Sequence, residues 1–82
     1  MTAQPYNYRT PDWEPLKRAI QAAGLPAETC AEFMWMHEWE QGRHSYKHYG
    51  TRGYVVLTAD INDQTAADRV RKARCGWQYG AN

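Results

Sequence analysis

Three histidines and one tyrosine, His37, His44, His48 and Tyr46, are the side chains of this sequence best suited to moving a proton or holding a polar ligand. His44, Tyr46 and His48 alternate within "RHSYKHYGTRGYVVL" (residues 43–57), so on an extended strand all three point to one side. An acid–base enzyme could draw on such a cluster. No nucleophile elbow, phosphate loop or paired carboxylates accompany it, and Cys75 has basic neighbours but sits where a helix C-terminus disfavours a thiolate. A small His/Tyr enzyme is therefore an alternative reading, and no catalytic residue is assigned.

Metal chemistry finds less support. "HEWEQ" begins like the H-E-x-x-H zinc helix, but its fifth position is Gln41. His44 and His48 stand about 13 Å apart along a strand, too far to share an ion whose bonds to nitrogen are about 2 Å long. With no C-x-x-C pair, no metal and no cofactor is expected.

A second set of residues has the types that meet nucleic acid. Lys47 and Arg52, with Arg43, lie among Tyr46, Tyr49 and Tyr54, and Arg69, Arg71, Lys72 and Arg74 make a basic stretch further on. "GTRG" has the spelling of the backbone clamp of KH domains, but that clamp joins two helices and this one joins two strands. The net charge is only +1, where a dedicated binder tends to be clearly basic. Nucleic acid is thus the alternative partner, not the preferred one.

The elements that must position these residues follow from composition and periodicity. Leu, Ile, Val and Phe make up nine of 82 residues, and four Trp and six Tyr supply the missing apolar surface. So small and aliphatic-poor a domain gains from a second subunit, and a homodimer is expected. Residues 1–41 hold three Lys/Arg against six Asp/Glu, and residues 42–82 seven against three. That asymmetry suits two faces that meet as well as it suits a basic surface. No run of 18 apolar residues and no signal-peptide pattern occurs, so a cytoplasmic protein with reduced cysteines and no membrane partner is expected.

The chain reads as a single α+β domain over residues 1–82, with an arm at 1–9 and a tail at 77–82. A first helix is expected over 10–25, capped by Thr10 or Asp12, with Trp13, Leu16, Ile20 and Ala23 on one stripe and Gly24 at its left-handed end. A second helix is expected over 26–41. On its wheel Ala27, Cys30, Phe33, Met34 and His37 share one face, while Trp35, Met36 and Trp39 form another that would make the dimer seam. A hairpin follows, with strands at 43–49 and 54–60, which the arm or a partner strand would extend. The last helix starts at Asn62 or Asp63, ends at Gly76 and turns Ala66, Val70 and Ala73 inward.

The stretch "EFMWMHEWEQGRHSYKHYGTRGYVVL" resembles small uncharacterised bacterial proteins carried on mobile elements such as integron gene cassettes, across roughly residues 11–60. The resemblance implies no activity and transfers no functional residue. The preferred expectation is a homodimeric binding module with an aromatic, histidine-lined groove for a small ligand, formed by His37, His44, Tyr46 and His48.

Overall fold

The structure, a computed structural model, describes residues 11–38 and 42–78. The arm at 1–9, Trp39 and the tail beyond Gln78 lie outside the described residues.

The first helix, α1 (Glu14–Ala22), opens with Pro15, where a missing N–H costs nothing, and the Asp12 carboxylate accepts the Glu14 N–H at 3.0 Å. It ends in a Schellman motif. Gly24 sits at φ 73°, its N–H reaches the Gln21 carbonyl, and the Leu25 N–H reaches that of Ile20. The last helix, α2 (Asp63–Arg74), is capped by Asn62, whose side-chain oxygen accepts from Gln64 and Thr65 N–H. It closes on the same motif at Gly76 and Trp77, with Trp77 N–H on the Lys72 carbonyl. Both C-terminal ends agree with the sequence reading, but the N-cap of α1 is Trp13, without a side-chain cap bond, rather than Asp12, and Thr10 lies outside the described residues.

The second helix does not form. Residues Ala27–Glu32 make a 3-10 helix, and the chain then straightens into a strand, β1 (Phe33–Glu38). Two further strands, β2 (Arg43–His48) and β3 (Tyr54–Thr58), complete a three-stranded antiparallel sheet in the order β1-β2-β3. The third strand therefore comes from the segment expected to be helical. A bulge between Trp35 and His37 breaks the β1–β2 register, re-aiming the side chains beyond it and disfavouring edge-to-edge pairing. The other edge of the sheet meets the returning chain: Tyr54 N–H donates to the Trp77 carbonyl at 3.0 Å, and Tyr54 bridges Gln78 in parallel.

Register sorts the side chains into two layers. Rows Phe33–His48, Trp35–Tyr46–Val55 and Glu38–His44–Leu57 face the helices, and rows Met34–Lys47–Tyr54 and His37–Ser45–Val56 face away. The core lies between the sheet and α1 and α2, built from Leu16, Ile20, Phe33, Tyr46, Val55, Leu57 and Val70, with Ala66 and Ala73 letting α2 approach closely. No helix among the described residues is long and apolar enough to cross a membrane.

Candidate functional site

The His–Tyr row of β2 is the covered one, and its polar atoms are taken up inside the protein. His44 is 3% exposed, and its Nδ1 accepts a 3.0 Å hydrogen bond from the Trp35 indole N–H. An indole nitrogen only donates, so Nδ1 carries no proton and the neutral ring holds its hydrogen on Nε2. That Nε2 faces the carboxylates of Asp12 at 3.5 Å and Glu38 at 3.8 Å. Tyr46, fully buried, donates to the Asp12 carbonyl at 2.6 Å. Burial first, and then the Asp12 charge, hold its hydroxyl pKa above the usual tyrosine range, so it stays a donor.

His48 closes a second network at the other end of the strand. The Thr51 N–H donates to Nδ1 at 3.2 Å, and Nε2 lies 2.9 Å from Glu32 Oε1. Glu32 also accepts from Arg74 Nε at 3.1 Å, tying the 3-10 helix to the end of α2. The Arg74 and His48 hydrogen bonds, in that order, hold the Glu32 carboxyl below its ordinary range. Phe33 packs edge-on against His48. A ring nitrogen of His44 or His48 could serve as a base only by breaking one of these internal bonds. Among the described residues no group of three or more His, Cys, Asp or Glu is arranged to hold a metal.

His37, placed by the helical wheel on the core stripe, is exposed on the outer layer and does not join His44, Tyr46 and His48. Trp35 and Met36 do not share a helix face. Trp35 is half-buried on the helix-covered side, and Met36 is exposed at the bulge. The two-faced helix that motivated a Trp35–Met36–Trp39 dimer seam is thus replaced by a strand, and Trp39 lies outside the described residues.

The basic residues separate just as sharply. Along α2, Arg69 donates to the Val56 carbonyl at 2.9 Å and Arg71 to that of Ala23 at 3.3 Å. Lys72 pairs with Asp68 at 3.2 Å and sits over the Trp77 ring, while Arg74 is held by Glu32. These cations brace the fold. The side chains of Lys47 and Arg52 have no hydrogen-bond or ion-pair partner among the described residues.

Lys47 and Arg52 border a cleft of about 210 Å³ lined also by Met34, His48 and Tyr49. Tyr49 is 59% exposed, and Tyr54 stands beside Lys47 across β3. None of the described strand residues facing this way is Asp or Glu. The turn that presents Arg52 is built around two features. Arg52 itself has φ 66°, a left-handed conformation that costs a non-glycine residue about 1–2 kcal/mol. Gly53 is pressed against α2 so closely that a Cβ there would overlap the Ala73 carbonyl.

The strand alternation and the Lys47–Arg52 pairing are visible in the sequence. The Arg52 conformation and the Glu32 clamp are not, since the first has no residue signature and the second joins positions 42 apart. Comparison with known protein families, curated proteins and solved structures finds no match for this chain.

Proposed function

We propose that this protein is a non-enzymatic binding module that takes single-stranded nucleic acid on the outer side of its sheet, at the β2–β3 turn. Lys47 and Arg52 meet phosphates, while Tyr49 and Tyr54 offer ring faces to bases, the combination that sequence-tolerant single-strand binders use. The observation that carries the reading is the contrast in partnering: four cations of α2 are engaged within the fold, whereas Lys47 and Arg52 flank a cleft with no partner among the described residues. A left-handed Arg52 adds to it, because strain of this kind gathers at ligand-binding positions.

The test is an anisotropy titration of a labelled oligothymidylate at low salt, repeated as salt rises, with a duplex of equal length alongside. The expected result is preference for the single strand and a log–log loss of affinity with salt of about 0.7 per phosphate contact. Binding indifferent to salt, or none at low salt, overturns the proposal.

Self-association is the second reading. Met34 and Met36 are 39% and 41% exposed on β1, and the core is poor in aliphatic residues. A second copy seated there would cover the same cleft. Light scattering at high micromolar concentration separates the two: a dimer that dissociates on adding oligonucleotide places both on one face, and a strict monomer removes the dimer.

A further inference from the structure

The end of α1 and the 3-10 helix border a separate open pocket, which shares no lining residue with the Lys47 cleft. It has a volume of about 360 Å³, within the roughly 300–1,000 Å³ of small-molecule sites. Its walls follow from local structure. The Schellman motif folds Leu25 back towards Ile20, giving one apolar wall. Opposite, Ala27 and Cys30 are three apart on a 3-10 helix, where such positions eclipse, so two small side chains form one ridge and leave space beneath it. Lys17 and Gln21, four apart on one face of α1, supply an ammonium and an amide.

We propose that this cavity binds a small monocarboxylate with a short hydrocarbon tail. The tail lies against Ile20, Leu25 and Ala27, and the carboxylate accepts from Lys17 Nζ and the Gln21 amide. Charge chooses the head group. Among the described residues Lys17 is the only charged one lining the cavity, and it and its neighbour Glu14, 3.8 Å away, are 60% and 73% exposed. An anion can take over from so loosely held a partner. Among the described residues, no second cation and no phosphate-sized polar shell lines it. The binding is non-covalent. Burial raises the Cys30 thiol above its ordinary range, against a smaller lowering by Lys17, so it is a slow nucleophile rather than an activated thiolate, and a maleimide still labels it at a measurable rate.

The two free cysteines make the test internal. Cys30 lies in the cavity wall and Cys75 is exposed beyond α2. Octanoate at roughly ten times its dissociation constant is expected to slow N-ethylmaleimide modification of Cys30 about tenfold and leave Cys75 unchanged, as read by peptide mass spectrometry. Lys17→Glu, at an exposed position, is expected to abolish the protection, and Lys17→Arg to keep it. Equal slowing at both cysteines, or none at Cys30, overturns the site. Equal protection by octanol overturns the carboxylate assignment, because the cavity would then be selecting hydrocarbon alone.

Discussion

The two sides of the sheet use similar residues to opposite ends. On the helix-covered side His44, Tyr46 and His48 each have a partner inside the protein: the Trp35 indole, the Asp12 carbonyl, Glu32 and Thr51. On the outer side Lys47 and Arg52 have none among the described residues, and no strand carboxylate faces them. A histidine–tyrosine cluster looks chemical in a sequence, yet burial turns it into hydrogen-bonded packing, because a buried polar group left unpaired costs about 1–3 kcal/mol. An exposed lysine looks ordinary, yet an unpaired one beside an aromatic cleft is what remains available to a ligand.

Variants on either side sharpen that contrast. The largest effect is expected at the turn joining β2 and β3, where it packs on α2. Gly53→Ala drives a methyl into the Ala73 carbonyl of α2, which neither backbone can absorb without moving, and should cost about 3 kcal/mol or more in denaturant unfolding. Tyr46→Phe comes next. It leaves the Asp12 carbonyl without its buried donor, and should cost about 1–2 kcal/mol while leaving oligonucleotide binding intact. An equal loss of binding would mean that the covered face belongs to the site.

Arg52→Gly should act in the opposite sense on the two properties. Relieving the left-handed conformation is expected to stabilise the fold by up to about 1 kcal/mol, net of the entropy a glycine adds to the unfolded chain, while binding weakens. A variant that binds as well as wild type would assign the strain to the turn alone. The smallest effect concerns pH. Glu32 has its carboxyl held below its ordinary value of 4.5 by Arg74 and His48, so the folded state favours the charged form. Its contribution is complete above that pH and is lost as pH falls through the lower folded value. Glu32→Gln should therefore lower stability at neutrality, where the contribution is complete, and flatten the acid limb below pH 4.5 so that the two curves converge there.

What the sequence makes legible here is local. Asn62 caps α2 and Gly24 and Gly76 end their helices because each signal acts within a few residues. The strands around residues 43–58 follow from alternation. "AETCAEFMWMHE" misleads, since Ala, Glu and Met favour helix and the apolar spacing fits a wheel. Its second half becomes a strand because β2 is a central strand that needs a partner on each edge, a requirement set by tertiary pairing rather than propensity. The site divides in the same way. Lys47 and Arg52 stand out by type, and α2's cations looked equally free until the fold brought Glu32, Ala23 and Val56 to them.

The most direct measurement compares two double variants in the salt dependence of oligothymidylate binding. Lys47→Ala/Arg52→Ala should lower the slope of log K against log salt by about 1.4, two contacts' worth for a single strand. Arg71→Ala/Lys72→Ala should leave the slope at the wild-type value. The opposite pattern, with the helix pair reducing the slope and the turn pair leaving it unchanged, would contradict the assignment of the outer sheet face as the binding surface.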